Sequence, residues 1–272
     1  MSNKILIVAA KEWRDGWRNR WLIAITLIFA IMALGLSWFG SVTYGQSGPS
    51  PLDSTIASLV SLAVLVIPLI ALLLGYDAYV GEQEAGTLLL LMAYPITKLQ
   101  LVLGKFLGQI SILAVSTTVG FGVDAVVLST NAFSIELIQA FAVFVFSATL
   151  LGGVFLAMSH LVSLSVSEKT RAAGLALFIW FFFTLLYDLG LLSVLVSTEG
   201  WMSQGALKTA LLANPTDVFR LINLIHLDAV GSGPLASVSQ LNLNSYILYG
   251  LLIAWIGVCL ALTKLLFINK KI

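Results

Sequence analysis

Two carboxylates, Glu82 and Glu84, lie beside a run of four leucines in the stretch GEQEAGTLLLLMAYP. Paired carboxylates can act as general acid and base, or they can bind basic groups of another protein. No histidine lies near them in the sequence, and the roughly ten residues from Thr87 to Ile96 are too few for a membrane span, which needs about 20. The pattern therefore favours a docking role at the edge of a membrane over catalysis.

The sequence also lacks the motifs of several common catalytic sites. It contains no GxxxxGK[ST] phosphate loop, no HExxH, no Cys-x-x-Cys and no Gly-x-Ser-x-Gly. Without a phosphate loop, any ATP that drives this protein must be hydrolysed by another polypeptide. The chain is therefore expected to be a non-catalytic subunit.

Soft metal ligands are few and scattered along the chain. A site or path for a soft metal ion requires thiolate or thioether ligands, with imidazole second, and the candidates are Met158, His160, Cys259, Met32 and Met92. Met158 and His160 lie two residues apart, about 200° around a helix, so they cannot face one ion together. The sequence predicts no metal site, and its single cysteine excludes an internal disulfide.

The composition predicts an all-α polytopic membrane protein. Hydrophobic residues make up 59% of the chain and charged residues 10%, whereas a soluble domain carries about 25% charged residues. Six apolar segments have the length of membrane spans, and residues 1–272 are expected to form one transmembrane domain. The six segments are Trp21–Gly40, Ile56–Tyr76, Leu99–Leu128, Leu137–Val166, Ala172–Val196 and Ser245–Phe267.

Basic residues predict the orientation of these segments. Of the 14 Lys and Arg residues, all except Lys208 and Arg220 fall on one side of the six predicted spans. Because short loops rich in Lys and Arg stay in the cytoplasm, both termini are predicted to be cytoplasmic. Membrane lipid is an expected partner, and nucleic acid is not.

Residues 1–20 predict an amphipathic helix at the membrane interface. Trp13, Trp17 and Trp21 recur every four residues and therefore share one helix face. Tryptophan prefers the headgroup level, while Arg14 and Arg18 on the opposite face can reach anionic lipid. The alternative is a plain basic flank of the first span.

Residues 77–97, which join the second and third predicted spans, are expected to contain a short helix. Gly81 and Gly86 are expected to loosen the chain around the two carboxylates. The helix is predicted from Thr87 to Tyr94, because the residue before Pro95 is pushed out of the helical conformation.

The third span is predicted to begin with a capping box formed by Thr97 and Gln100. The short helix before it would lie across the mouth of the bundle, where Glu82 and Glu84 are available to basic groups of a cytoplasmic partner. The alternative is a solvated charged loop that only sets the topology. The residues assigned to coupling with the partner are Gly81, Glu82, Glu84, Gly86, Thr87, Leu88, Tyr94 and Pro95.

Two aspartates, Asp124 and Asp188, fall inside predicted spans towards their periplasmic ends. A charge within a span is costly and by default suggests function. The two carboxylates are expected to meet at an outer vestibule or to hold the periplasmic loop. Equally, each could be capped by a neighbouring hydroxyl, such as that of Thr184 one turn before Asp188.

Residues 197–244 are predicted to form a long periplasmic segment that begins with an amphipathic helix. Asn214 would cap this helix, with Pro215 at its first position. The residues predicted to contact a periplasmic partner are Asn214, Pro215, Phe219 and Arg220. Small residues, including Gly231–Ser239, predict an exposed loop after the helix, with a linker as the alternative.

The run GEQEAGTLLLLMAYPITKLQLVLGKFLG resembles the signature loop of ABC-2 type permeases, in which an acidic residue, Gly-Thr, a leucine run and a proline precede Leu-Gly-Lys. In that family this segment is the coupling helix, which rests on the ATPase subunit. The basic and aromatic N-terminal stretch is similar to the elbow helix of the family, and Asn214-Pro215 before the last span also matches its pattern. The resemblance covers all six predicted spans in order.

Within that family, the stretches KEWRDGWRNRWLIAITLIFA and LLANPTDVFRLINL closely resemble the permease subunit of the assembly that matures the copper sites of nitrous oxide reductase. This resemblance implies a homodimer in the bacterial inner membrane, with two copies of a separate cytoplasmic ATPase that bind ATP and Mg. It also implies a periplasmic partner that handles copper, and no cofactor in this chain. The alternatives are an ABC-2 exporter of a lipid or small molecule and, as a different class, a stand-alone secondary transporter.

Overall fold

The computed structural model describes residues 2–43, 52–129, 134–197, 203–226 and 244–270, and every regular element within these ranges is helical. The predicted loop at Gly231–Ser239 lies outside the described residues. The helices are α1 Ser2–Arg18, α2 Trp21–Thr43, α3 Leu52–Gly75, α4 Val80–Glu84, α5 Thr87–Ala93, α6 Lys98–Ser129, α7 Ile135–Ser165, α8 Lys169–Phe181, a π-helical turn Phe182–Leu186, α9 Tyr187–Ser197, α10 Gln204–Ala213, α11 Pro215–His226 and α12 Ser245–Asn269.

Five helical stretches in the described part of the chain are long and apolar enough to cross a membrane. A sixth is obtained if α1 and α2, which are bent by 65° at their break, are counted as one broken span. Arg20 makes this break with a positive φ of 59°. The predicted all-α polytopic fold is confirmed. The five stretches are Thr55–Glu84, Lys98–Ser129, Ile135–Ser165, Lys169–Ser197 and Ser245–Asn269.

The bundle has two ends, which we call the N-terminal face and the opposite face. The N-terminal face holds α1, α4, α5 and the end of α12, since Lys98 at the start of α6 donates to the carbonyl of Phe267 at 2.7 Å. Lys270, just after α12, donates to the carbonyl of Leu164 at the end of α7, at 2.9 Å. The opposite face holds α10 and α11.

Helices α3 and α7 form the centre of the bundle, and aromatic side chains fill the space around them. Phe121 of α6 stacks on Phe29 of α2 and meets Phe144 of α7 edge-on, with ring centroids 4.9 Å apart in both pairs. Phe144 in turn contacts Phe219 of α11 at 6.1 Å. This aromatic chain ties the first, third and fourth spans to the opposite-face helix α11.

Helix α1 packs closely on α6 because glycines line the contact. A Cβ atom at Gly104 would lie 2.6 Å from Cβ of Val8, and one at Gly108 would lie 2.5 Å from Cβ of Glu12 and 2.7 Å from the carbonyl oxygen of Ala9. Small residues let helix backbones approach each other in membranes. The GKFLG stretch of α6 is therefore the surface on which the N-terminal helix α1 packs.

The opposite face contains one helix that the sequence did not predict. Helix α10 begins after Ser203, whose hydroxyl accepts a hydrogen bond from the amide of Ala206 at 3.2 Å. It leads into α11, which matches the predicted amphipathic helix. The short α10 was missed because few of its residues are strongly apolar and its neighbours in the sequence gave no span signal.

Candidate functional site

The chain between α3 and α6 folds into two short helices on the N-terminal face. Gly81 lies inside α4, where its amide donates to a backbone carbonyl four residues earlier at 2.9 Å. The expectation that Gly81 loosens the chain is therefore wrong. Gly86 does break the chain, because it adopts the left-handed conformation with a φ of 69°. Helix α5 then ends just before Tyr94, which is extended and precedes Pro95.

Helix α5 is anchored by one leucine and exposes others. Leu88 is 1% exposed and packs in a cluster with Val8 of α1. Leu89, Leu90 and Tyr94 are 58%, 66% and 65% exposed. We call these three residues the α5 surface. Exposed apolar patches of this kind mark interaction sites, while Leu88 fixes the helix that carries them.

Four side chains hold the ends of this segment. The Lys4 ammonium group donates to the carbonyl of Pro95, and the Thr87 hydroxyl donates to the carbonyl of Glu82 at 3.2 Å. The predicted capping box is confirmed, since the amide of Thr97 donates to Oε1 of Gln100 at 3.0 Å and the reciprocal bond measures 3.2 Å. The segment therefore has a defined position at the mouth of the bundle.

Lys105 of α6 is the centre of an ion cluster on the same face. Its Nζ atom lies 2.7 Å from Oε1 of Glu82 and 3.0 Å from Oε1 of Glu12, and its side chain is 3% exposed. Lys11 approaches the same two carboxylates at 3.4 and 3.3 Å. These four residues, which we call the Lys105 cluster, join α1, α4 and α6. They line a cleft of about 520 Å³.

The Lys105 cluster corrects the predicted role of Glu82. Its side chain is 17% exposed, and its carboxylate is already bound by two lysines of its own chain. The expectation that Glu82 is available to a partner is therefore wrong. Removing Glu82 would leave Lys105 buried beside a single carboxylate, which is costly. The neighbouring residues gave no sign of this pairing, since Lys105 lies more than 20 residues away in the sequence.

Glu84 is exposed but also has a partner within the chain. Its Oε1 atom accepts a hydrogen bond from the amide of Lys169, the first residue of α8, at 2.7 Å. A carboxylate at this position also stabilises the positive end of the helix dipole. The Lys169 ammonium group lies 2.8 Å from Asp77. Helix α4 is thus attached to the beginning of the fifth span.

A buried polar chain continues from the Lys105 cluster into the membrane bundle. Gln109 donates to Glu12 at 3.4 Å and accepts from Nε2 of His160 at 2.7 Å. Nδ1 of His160 lies 3.3 Å from the Tyr79 hydroxyl, and the amide of Tyr79 donates to the Ser163 hydroxyl at 3.0 Å. Both ring nitrogens of His160 are therefore engaged by protein groups. The signal that could have revealed this chain is the spacing of Lys105 and Gln109, one helical turn apart in apolar α6.

The aromatic face of α1 points away from the bundle. Trp17 is exposed, and Trp13 is half-buried with its ring 6.5 Å from that of Trp17. Trp21 is also exposed, but it is the first residue of α2, beyond the 65° break, so the expectation that it shares one helix face with Trp13 and Trp17 is wrong. Arg14 and Arg18 are also exposed. These positions suit contact with a lipid interface, which stays a prediction. The structure adds a third face of α1, which packs on α6.

The opposite face has its own ion cluster. Arg220 of α11 lies 2.6 Å from Asp188 of α9 and 2.8 Å from Asp217. Asp188 thus holds α11, one of the alternatives that the sequence left open. Thr184 does not provide a cap, since its hydroxyl donates to a backbone carbonyl of its own helix at 2.7 Å. Asp124 is fully buried in α6, and its functional role stays a prediction.

The pKa values of two buried carboxyl groups are shifted in opposite directions. Burial by itself would raise the pKa of Glu12, but Lys105 and Lys11 outweigh it and hold the pKa below its ordinary value. Burial, and second the charge of Asp188, raise the pKa of Asp217 to about 6.

The first turn of α11 is built as the sequence predicts, but it is buried. Asn214 caps the helix by accepting the amide two residues on at 3.1 Å, and Pro215 is the first helical residue. Asn214, Pro215 and Phe219 are buried and Arg220 is bound within the chain, because the apolar side of α11 turns towards the bundle. Contact with a partner stays a prediction, and His226 at the exposed end of α11 is the accessible position.

Comparison with known proteins places the whole chain in one group. Residues 6–272 match the family described as ABC-2 family transporter protein. A protein from Pseudomonas aeruginosa named probable ABC transporter permease protein NosY is 49% identical over 271 residues, which cover 97% of this chain and 98% of the relative. A protein of the same name from Stutzerimonas stutzeri is 47% identical over 270 residues, with the same coverage of both chains.

Proposed function

This chain belongs to the ABC-2 family of transporter proteins, and from that premise we propose that it is the permease subunit that couples a cytoplasmic ATPase to a periplasmic partner during maturation of the copper sites of nitrous oxide reductase. The proposal rests on the family match and on the two NosY permeases that the chain resembles. The assembly would contain two copies of this permease, two NosF-like ATPases that bind ATP and Mg, and a NosD-like periplasmic protein that handles copper. This chain itself would hold no cofactor.

The observation that carries the ATPase contact is the α5 surface. It presents Leu89, Leu90 and Tyr94 on a short helix that Leu88 anchors to the bundle. Helix α4, directly before it, is attached to α1 and α6 through the Lys105 cluster. A displacement of α5 would therefore also move α4, α1 and α6, and this supports the assignment of the segment as a coupling element.

We propose that the N-terminal face lies in the cytoplasm of a bacterial inner membrane. Lys4, Lys98, Lys169 and Lys270 all contact groups on this face. Positively charged residues near span ends favour the cytoplasmic side. The α5 surface and both chain termini would then face the ATPase.

Leu90→Asp tests the docking surface. A carboxylate in the centre of an apolar contact is costly to desolvate, so the variant should insert into the membrane normally and lose most of the ATPase that copurifies with the parent permease. In cells, the copper content of nitrous oxide reductase should fall with it. Copurification from solubilised membranes and metal analysis of the reductase provide the two measurements.

Ile135→Asp is the matched control. Ile135 is 69% exposed, close to the 66% of Leu90, but it lies at the start of α7 on the opposite face. This variant should retain the ATPase. Full retention of a normally coupled ATPase by Leu90→Asp would contradict the docking assignment.

A further inference from the structure

The fifth span, formed by α8, the π-helical turn and α9, is bound to α4 at its first residue. The amide of Lys169 donates to Glu84 at 2.7 Å, and the Lys169 ammonium group lies 2.8 Å from Asp77. Both acidic residues flank or belong to the segment that carries the α5 surface. A displacement of α4 therefore acts directly on the beginning of this span.

The π-helical turn lies in the middle of the fifth span. At its end, the amide of Tyr187 donates to the carbonyl of Phe182, five residues earlier, in place of the usual four. Such turns are rare in proteins, and those that occur are often found at functional sites. The register of the helix thus changes by one residue between α8 and α9, which corresponds to a rotation of about 100°.

Two buried side chains of the opposite face bind this turn. The carbonyl of Phe183 accepts a hydrogen bond from Nδ2 of Asn214 at 3.1 Å. The Thr216 hydroxyl lies 3.3 Å from the same carbonyl and donates to Oδ1 of Asn214 at 2.8 Å, which orients the Asn214 amide. Both side chains are fully buried. We call these contacts of Asn214 and Thr216 the Asn214 clasp. It connects the π-helical turn to the first turn of α11.

Further contacts tie α9 to the opposite-face helices. Asp188 lies 2.6 Å from Arg220 of α11, and the Tyr187 hydroxyl donates to the carbonyl of Ala210 in α10 at 2.7 Å. With the clasp, these bonds make α10, α11 and the second half of the fifth span one unit. The position of this unit depends on the residue at which the π-helical turn occurs.

Between its ends, the fifth span contacts α3 through Nε1 of Trp180, which donates to the carbonyl of Leu65 at 2.8 Å, and α7 through the rings of Phe183 and Phe155, 5.9 Å apart. Few of its side chains are buried. Among residues 169–197, all of which the structure describes, Ala172, Ala176 and Thr184 are the buried ones. Elements with few buried contacts are those that move at low free-energy cost. Movement of the span relative to the central helices α3 and α7 would therefore break few contacts, chiefly the Trp180 hydrogen bond and the ring contact of Phe183.

We propose that the fifth span transmits movement of α4 to α11, and that Asn214 and Thr216 are the positioning residues that make α11 follow the π-helical turn. This inference rests on the proposed function, since the movement begins at the ATPase contact. If the turn shifts by one residue, the carbonyl of Phe183 rotates by about 100°, and the clasp either draws α11 with it or breaks.

The double variant Asn214→Ser with Thr216→Val removes the Asn214 amide group that donates to Phe183 and the Thr216 hydroxyl that orients it. Serine retains the helix cap, and valine keeps the shape of threonine. The experiment uses the permease–ATPase complex with Cys259→Ser and a reporter cysteine, His226→Cys, at the exposed end of α11. The rate at which a membrane-impermeant maleimide labels this cysteine is measured without nucleotide and after trapping with ATP and vanadate.

In the parent complex we expect the two labelling rates to differ by at least about fivefold, the lower end of usual coupling between sites. The double variant should lose this difference while it still assembles and hydrolyses ATP. The single variant Thr216→Ser, which keeps the hydroxyl, should behave like the parent. Thr209→Val, the same change at an exposed position of α10, should also leave the difference intact.

The outcomes separate this inference from the proposed function. A double variant that keeps the full difference overturns the role of the clasp and leaves the proposed function standing. A parent complex that holds its ATPase but shows no difference also overturns the inference. A permease that binds no ATPase contradicts the proposed function itself. If the double variant does not fold, Thr216→Val alone should reduce the difference, and an unchanged difference again overturns the inference.

Discussion

The ion clusters at the two faces contain the same number of buried or half-buried carboxylates but different numbers of cations. Glu12 and Glu82 share Lys105 and Lys11 on the N-terminal face. On the opposite face, Asp188 and Asp217 share a single arginine. The pKa is accordingly lowered for Glu12 and raised to about 6 for Asp217.

The difference teaches that the two faces respond differently to pH. Burial penalises every charged carboxylate, and the number of cations within reach decides whether that penalty is overcome. On the N-terminal face, Lys105 and Lys11 hold the pKa of Glu12 below its ordinary value, so Glu12 stays ionised across the neutral range. On the opposite face, the pKa of Asp217 is about 6, so the strength with which its contacts hold α11 depends on pH.

The largest effect is expected from breaking the Lys105 cluster. Lys105→Met leaves Glu12 and Glu82 in a buried site without their central cation, which should cost about 3–5 kcal/mol of the free energy of unfolding. Thermal unfolding of the purified permease in detergent measures this loss.

Lys11→Met is the control for that change. Lys11 contacts the same carboxylates, but its side chain is 47% exposed. Exposed ion pairs contribute about 0–1 kcal/mol, so this variant should be nearly as stable as the parent. Equal losses for the two variants would contradict the central position of Lys105.

A smaller effect is expected from titration of Asp217. Because its folded pKa of about 6 lies above the ordinary 3.8, the folded state takes up the proton first. Stability at α11 should therefore rise as the pH falls from about 7 to about 5, by at most about 1.4 kcal/mol per pH unit. Hydrogen-exchange protection of α11 amides, compared between parent and Asp217→Asn, isolates this contribution.

The Asp217→Asn variant sharpens the comparison between the faces. It should lose the part of the pH dependence that belongs to α11, because no proton is taken up at that position. The amides of α1 should show no such difference between parent and variant. A parent whose α11 becomes less protected than that of Asp217→Asn on acidification in this window would refute the raised pKa.

The smallest effect is expected at the capping box of α6, which lies outside both clusters. Thr97→Ala removes the hydroxyl that accepts the amide of Gln100, and loss of such a cap costs about 1 kcal/mol. Faster hydrogen exchange in the first turn of α6 checks this. Thr97→Ser, which keeps the acceptor, should exchange like the parent.

The sequence predicted the features that depend on local rules. The spans followed from apolar length, the break at Tyr94-Pro95 from sterics, and the Thr97 capping box and the Asn214-Pro215 helix start from short-range hydrogen bonding. The family followed from the leucine-rich stretch between the second and third spans. Each of these signals is contained within a few neighbouring residues.

The partners of the charged residues were decided by tertiary structure. Glu82 meets Lys105, Glu84 meets Lys169 and Asp188 meets Arg220, each across a separation of more than 20 residues. In an apolar bundle, a buried charge binds whichever opposite charge the packing brings near, and no local pattern contains that information.

The π-helical turn and the Asn214 clasp belong to the same class. The stretch FFFTLL is typical of ordinary apolar helix in the sequence, and Asn214 was predicted as a helix cap and a partner contact. Their connection appears once α11 is packed against the fifth span, because a backbone carbonyl can bind distant side chains only where the fold brings them within about 3 Å. The sequence determined the helices and their order, and the packing of the helices determined which of their polar groups work together.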